Sequence, residues 1–157
     1  MKKLSLLFCF ILISTGAISQ KSLVENVPFT NIGPTIMSGR IVDVDVNPTN
    51  PNEFYASTCW GPLRSTDGGA TWQHAQAGLN LLFCQTVVAD SQTPGRVLLG
   101  TEDGIYLSTN GAKTWSRTDS PPATALRMVQ SAVDPQLMLA GTQGRGAWLS
   151  RDAGETW

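Results

Sequence analysis

Residues 65–72 read STDGGATW, and the same eight-residue pattern returns as STNGAKTW at 108–115 and as SRDAGETW at 150–157. The copies begin at residues 65, 108 and 150, so the pattern recurs about every 42 residues. A fixed period of this length is typical of folds that repeat one supersecondary unit. Each copy joins an Asp or Asn, which accepts backbone hydrogen bonds, to glycines that adopt positive φ. The pattern therefore predicts one tight turn between two strands, repeated three times.

We refer to these three segments as the box turns, and we expect their shared positions to be structural. The threonine suits the start of a strand, and the tryptophan is expected to bury its ring between repeats. In the second copy Ala112 replaces a glycine, so that turn is expected to be strained or of another type. The structural positions are Ser65, Asp67, Gly69, Thr71, Trp72, Ser108, Asn110, Thr114, Trp115, Ser150, Asp152, Gly154, Thr156 and Trp157.

Short apolar stretches precede each box turn at matching distances. The chain also contains 15 Gly and 9 Pro, a richness in turn formers that favours an all-β fold over a helical one. Four short strands per repeat describe one four-stranded antiparallel blade of a β-propeller. The predicted first strands are 40–48, 86–90 and 128–135, the second strands 53–58, 96–101 and 137–142, and the third strands 63–65, 105–108 and 147–150. The fourth strands are expected to begin at the Thr-Trp pair and to extend to residue 76 in the first repeat and 119 in the second.

The pattern S-x-D-x-G-x-T-W resembles the Asp-box, or BNR repeat. This repeat occurs in sialidases, sortilin-type receptors, xyloglucan-degrading glycosidases and propeller-type photosystem II assembly factors. The similarity extends over residues 29–157, and the opening stretch 29–41 is most similar to exported bacterial sortilin-like or BNR-repeat glycosidase-like proteins. The resemblance implies a β-propeller. It implies no particular activity, because in these families the box is a structural turn far from the ligand-binding centre.

The chain divides into three predicted parts. Residues 1–19 have a charged start, a short apolar run and small residues at the end, as in a cleavable signal peptide that directs a protein to the periplasm or the exterior. Residues 20–39 form a lead-in, in which 29–33 resemble a ring-closing strand. Residues 40–157 form blades 1–3 with the third blade truncated. Because propellers have about 4–8 blades, we expect an incomplete ring that needs the remaining blades of a larger propeller. The alternative is a three-blade ring closed by 29–33.

Charge and composition exclude several classes of function. The formal net charge is −1 and no run of like charge occurs, so neither nucleic acid nor membrane insertion is expected. The single histidine, His74, excludes histidine-rich metal sites. The alternation of Asp43, Asp45 and Asn47 begins like a calcium loop. The glycine and the final glutamate of such a loop are missing, so a strand with one polar face explains it better. No metal and no cofactor are expected.

The ligand of a propeller usually binds on the face opposite the box turns. The residues expected on that face are Arg40, Trp60, Gln85, Arg127 and Arg145. Three of these are arginines, which sialidase chemistry would need as a cluster for the substrate carboxylate. The xyloglucanase pattern instead places a catalytic acid in a T-D-x-G-G turn after a second strand. This chain has Thr58-Cys59-Trp60-Gly61 there, and blade 2 offers Glu102 and Asp103 as weak catalytic candidates.

Cys59 and Cys84 are predicted to lie at the same blade boundary, where a disulfide is possible. On balance the sequence predicts a non-catalytic binding or assembly module for a protein or glycan partner. The alternative is a glycoside hydrolase of the xyloglucanase type, or less plausibly a sialidase, with catalytic acids partly outside this chain.

Overall fold

The computed structural model of the protein describes residues 40–157, which form eleven strands in three antiparallel sheets and no helix. The prediction of an all-β fold built from sheets of this kind is confirmed. Blade 1 contains β1 (Ile41–Val46), β2 (Phe54–Thr58), β3 (Leu63–Ser65) and β4 (Gln73–His74). Blade 2 contains β5 (Cys84–Ala89), β6 (Val97–Thr101), β7 (Gly104–Ser108) and β8 (Ser116–Arg117). Blade 3 contains β9 (Ala125–Gln130), β10 (Met138–Thr142) and β11 (Ala147–Ser150). The predicted signal peptide and lead-in lie outside the described residues.

The second and third strands agree with the prediction to within one residue at each end, whereas the other strands differ. The first strands of blades 2 and 3 begin earlier than predicted, at Cys84 and Ala125. In blade 3 the chain leaves the strand at Ser131, whose amide donates to the Leu137 carbonyl and so closes a turn inside the apolar stretch. In blades 1 and 2 the fourth strand begins after the tryptophan and has only two residues, because only these two residues pair with the third strand.

The strands of each blade run in chain order, and the first strands of the three blades contact one another in the order β1, β5, β9. Each sheet therefore has two faces that alternate along its strands. In blade 2 the face towards blade 1 carries Val87, Leu99 and Tyr106, which form one apolar core with Tyr55. The face of blade 2 towards blade 3 forms a second core with blade 3; its residues are Val88, Leu98, Ile105, Ala125, Met128, Met138 and Ala140.

Each box turn is hydrogen-bonded to the loop between the first and second strands of its own blade. The donors are the amides of Gly68, Gly111 and Ala153, and the acceptors are the carbonyls of Asn52, Gly95 and Gln136, respectively. Box turns and first-to-second-strand loops thus share one face of the molecule, the box face. The turns between second and third strands and the links between blades lie on the opposite face, which we call the connection face. This division agrees with the prediction.

The three box turns have one conformation. In each, a serine hydroxyl accepts the amide of the fifth residue: Ser65 from Gly69, Ser108 from Ala112 and Ser150 from Gly154. Ala112 has φ 61°, and Ala153 has φ 54° at the preceding position of the third copy. Of the two alternatives expected for the second turn, another type is wrong, whereas a strained backbone is supported by the positive φ of Ala112. The serine hydroxyl and the Asn110 side chain supply the same bonds as in the other copies and hold Ala112 in the left-handed region.

The tryptophans that end the box turns are not equivalent. Trp115 is buried between blades 1 and 2, and its indole N–H donates to the Ala75 carbonyl at 2.7 Å. Trp72 and Trp157 are half-buried and donate instead to Gly69 and Gly154 of their own turns. Trp157 also packs against the core between blades 2 and 3. Trp115 and Trp157 thus stabilise the contact between a blade and the one before it.

Candidate functional site

The turn that follows β2 on the connection face presents Trp60 to solvent, with 60% of its surface exposed. The Thr58 hydroxyl donates to the Gly61 carbonyl at 2.7 Å and accepts the Trp60 amide at 3.0 Å. The Gln76 side-chain amide donates to the Trp60 carbonyl at 2.6 Å. A large aromatic side chain is therefore held outward by a fully hydrogen-bonded backbone, which is the arrangement a stacking platform needs.

The equivalent turn in blade 2 carries Glu102 and Asp103. Glu102 is exposed, whereas the Asp103 carboxylate lies 3.5 Å from Arg117 Nε and accepts the Tyr106 hydroxyl at 3.3 Å. Arg117 also donates to the Asp103 carbonyl at 2.7 Å. Burial and the nearby Asp103 carboxylate raise the pKa of Tyr106. The bonds to Arg117 and Tyr106 hold Asp103 against its own blade.

The other predicted ligand residues occupy separate places. Arg40 is exposed and its carbonyl accepts the Cys59 amide, while Gln85 is half-buried in β5. Arg145 is exposed in the β10–β11 turn, where its carbonyl accepts the Trp148 indole N–H. Arg127 was predicted on the connection face. It lies within β9, because the first strand of blade 3 begins three residues earlier than the pattern predicted.

Arg127 belongs to a groove of about 270 Å³ lined by the first strands of the three blades. Its Nη1 donates to Asp43 Oδ1 at 2.8 Å, so the side chain joins blade 3 to blade 1. Asp43 Oδ2 also accepts the Thr86 hydroxyl at 2.8 Å and the Val87 amide at 3.2 Å. One carboxylate thus connects all three blades.

Asp45 lies two residues further along the same strand and accepts the Ala89 amide at 2.8 Å. Burial raises the pKa of Asp45, although hydrogen bonds from Ala89 and Val46 oppose the shift. The two aspartates satisfy amides of β5 that have no sheet partner on that side. The prediction of a strand with one polar face is confirmed. The alternation of Asp and Val in β1 was the signal from which an inter-blade role could have been predicted.

Cys59 and Cys84 are not joined in a disulfide in the structure of residues 40–157, so the bond that the sequence left possible is not formed. Cys84 is fully buried, its thiol donates to the Leu82 carbonyl at 3.3 Å, and burial raises its pKa to about 12. The Cys84 thiol therefore points into the segment that links blade 1 to blade 2. Within the same residues there is no cluster of three or more His, Cys, Asp or Glu side chains suited to a metal ion. No helix in this region is long and apolar enough to span a bilayer.

Comparison with solved structures identifies the fold of the chain. No family model matches the chain. Among solved structures, an ancestral GH74 enzyme superposes with a TM-score of 0.69 at 19% identity, covering 76% of this chain and 18% of that enzyme. YCF48 from Cyanidioschyzon merolae superposes with a TM-score of 0.56 at 20% identity, covering 79% of this chain and 38% of that protein. The chain has a β-propeller fold.

One protein with a similar sequence is named for its enzymatic activity. The chain is 26% identical over 144 residues to the oligoxyloglucan-reducing end-specific xyloglucanase of Emericella nidulans. That alignment covers 82% of this chain and 18% of the enzyme. The GH74 xyloglucanase from Xanthomonas campestris gives a TM-score of 0.63 at 23% identity over 76% of this chain and 20% of that enzyme. The chain thus spans about a fifth of the length of the xyloglucanases that it matches.

Proposed function

We propose that this chain is part of an exported β-propeller that binds a glycan through its connection face, and that residues 40–157 serve binding rather than bond cleavage. The observation that carries the proposal is Trp60, 60% exposed at the tip of a rigid turn. The face of an indole ring suits the apolar face of a sugar ring, and the ring loses little conformational freedom on binding because its backbone is already fixed.

The chemistry of the same turn supports a binding role. The xyloglucanase pattern has an acid after the threonine, whereas this chain has Cys59 after Thr58. A thiol does not replace the carboxylic acid that glycoside hydrolysis requires. Asp103, one position later in the equivalent turn of blade 2, is bonded to Arg117 and Tyr106. The turn of blade 1 therefore offers no acid at the position that the pattern requires, and blade 2 has Glu102 there in place of the aspartate of the pattern.

The whole-protein context is part of the proposal. Export rests on the predicted signal peptide at 1–19, and the Asp-box assignment rests on the three box turns. Further blades of a larger propeller would complete the connection face around the axis. A xyloglucan-type β-glucan is the first ligand to test, because the sequence relative acts on oligoxyloglucan according to its name.

Calorimetric titration of the full chain with xyloglucan oligosaccharides tests the proposal. Trp60→Ala should weaken binding about tenfold, the loss expected for one aromatic contact of about 1.4 kcal/mol. Trp60→Phe keeps a stacking ring and should retain most of the affinity. The matched surface control is Val133→Ala, since Val133 is 96% exposed and lies in the first-to-second-strand loop on the box face. An affinity that Trp60→Ala leaves unchanged would contradict the proposal.

A glycoside hydrolase is the second candidate, favoured by the similarity to a xyloglucanase at 26% identity. Glu102 and Asp103 would then be the residues to test. Release of reducing ends by the full chain, abolished in Glu102→Gln or Asp103→Asn, would replace the binding proposal with this one. A third result, binding of a peptide but no glycan, would favour an assembly role, since one similar structure is YCF48 bound to D1 peptide.

A further inference from the structure

A groove of about 240 Å³ runs along the outer rim between blades 1 and 2. Its walls are the exposed edge strand β4 with the residues that follow it, and the second box turn. Gln73, His74 and Gln76 line one side, and Ala112 and Lys113 line the other. Arg64 closes the end near the box face. The groove is distinct from the one lined by the first strands, because it lies at the opposite edge of the same two sheets.

The polar groups in this groove are arranged as complementary donors and acceptors. The Gln76 side-chain nitrogen lies 3.3 Å from His74 Nδ1 and donates its other proton to the Trp60 carbonyl. When Nδ1 accepts, neutral histidine carries its proton on Nε2, so His74 offers an outward donor. Gln76 keeps its carbonyl oxygen as an acceptor, and Gln73 offers both groups of its amide. Alternating donors and acceptors match the vicinal hydroxyls of a sugar, each of which donates and accepts.

The groove carries little net charge. Arg64 Nη2 lies 2.6 Å from Glu53 Oε1, and Arg64 Nε donates to the same oxygen at 2.9 Å, so its guanidinium is already paired. Although burial disfavours the ionised form of Glu53, bonds from Asn47 and Arg64 outweigh it and lower the pKa of that carboxyl. Glu53 therefore stays ionised and keeps Arg64 neutralised. Lys113 is then the one unpaired full charge among the lining residues named above.

The groove is also connected to the exposed Trp60 through Gln76. Gln76 lines the groove and at the same time holds the backbone of Trp60. We infer that this rim groove between blades 1 and 2 is a subsite for a neutral oligosaccharide, continuous with Trp60. The inference rests on the proposed glycan-binding function and adds the path of the sugar chain away from the platform. Sugar hydroxyls bond to Gln73, His74 and Gln76.

The test uses the single histidine of the chain as a reporter. Its imidazole Hε1 resonance in the proton NMR spectrum needs no assignment, and the full chain is titrated with a xyloglucan oligosaccharide at constant pH. The resonance should move and saturate with the Kd that calorimetry gives. Gln73→Ala and His74→Ala should each weaken binding about 3- to 10-fold, the range expected for one lost hydrogen bond. The matched control is Ser116→Ala, at the position of β8 that corresponds to Gln73 in β4.

The outcomes separate the two proposals. Calorimetric binding that leaves the His74 resonance and the Gln73→Ala affinity unchanged would overturn the subsite while the role of Trp60 stands. Binding to neither site would overturn the proposed function and the subsite together. Tighter binding of a trigalacturonate, lost in Lys113→Ala, would overturn the neutral ligand and favour an acidic one. An equal loss in Ser116→Ala would show that the effect is structural and would also overturn the subsite.

Discussion

Blades 2 and 3 carry the same apolar row on the face that points away from blade 1, yet the two rows have opposite environments. In blade 2 the central residue, Leu98, has no exposed surface, because blade 3 covers it. In blade 3 the equivalent Leu139 is 46% exposed. The register of the strands makes the rows equivalent: Val88, Leu98 and Leu107 in blade 2, and Val129, Leu139 and Leu149 in blade 3.

The residue pattern therefore creates the same apolar surface on both blades, but it does not determine whether a neighbouring blade covers that surface. Within residues 40–157 no further sheet covers the row of blade 3, so Val129, Leu139 and Leu149 remain between 42% and 49% exposed. Burial of a leucine side chain is worth about 1.5–3 kcal/mol. Stability should therefore be concentrated at the boundaries on either side of blade 2, and the exposed row of blade 3 should promote association.

The largest expected effect is the difference between the same substitution in the two rows. Leu98→Ala removes a fully buried side chain and should lower the free energy of unfolding by about 2–5 kcal/mol. Leu139→Ala, in the half-exposed equivalent position, should cost less than about 1 kcal/mol. Denaturant unfolding of both variants beside the wild type measures the difference. Equal costs would mean that the row of blade 3 is covered in solution.

A second pair compares the box turns of blades 3 and 2. Gly154 has φ +87°, and an added Cβ would clash with Leu98 Cδ2. Gly154→Ala should therefore destabilise the protein by about 1–3 kcal/mol. Ala112 occupies the equivalent position of blade 2, and Ala112→Gly should change stability by less than about 1 kcal/mol.

The clash can be distinguished from backbone strain. If Leu98 is the obstacle, a variant carrying both Gly154→Ala and Leu98→Ala should unfold more easily by less than the sum of the single changes. Strict additivity in thermal or denaturant unfolding would instead attribute the cost of Gly154→Ala to its positive φ alone.

The smallest expected effect is a difference in pH dependence between the same two turns. Burial disfavours the ionised form of Asp152, but bonds from Thr156 and Ser150 outweigh it and lower its pKa from 3.8 to about 2. A lowered native pKa stabilises the fold above the unfolded value, and this contribution is lost as the pH falls from about 4 to about 2. Asn110 in blade 2 does not titrate.

Thermal unfolding between pH 5 and pH 2 tests the direction of this pH dependence of stability. Asp152→Asn should have a lower Tm than the wild type at pH 5, and the difference should disappear by pH 2. Asn110→Asp should gain the same pH dependence that Asp152→Asn loses. Parallel Tm curves for the wild type and Asp152→Asn would show that the Asp152 carboxylate is not bonded to Thr156 in solution. Asp45, whose pKa is raised, is present in every variant and cancels in the comparison.

The sequence predicted more of the fold than of the site. The positions of the box turns, the second and third strands and the two faces of the molecule follow from local patterns and are confirmed. The first strand of blade 3 was predicted at residues 128–135, whereas β9 is Ala125–Gln130. The prediction was shifted towards the carboxyl end because the apolar stretch after residue 128 continues beyond the turn at Ser131. That error left Arg127 outside the predicted strand. The rim groove was not predicted, because its two walls belong to repeats about 40 residues apart in the chain.

By itself the sequence determined the conformation of the box turns, since a serine hydroxyl and an Asp or Asn side chain bond the backbone within five residues. Only the tertiary structure decided which positions in these turns tolerate a side chain: Ala112 fits, whereas Leu98 of the preceding blade leaves no room at Gly154. Only the tertiary structure gave Asp43 its partners in blades 2 and 3. The physical reason is range, because turn bonds are local, whereas burial and inter-blade hydrogen bonds depend on surfaces that the chain brings together only on folding.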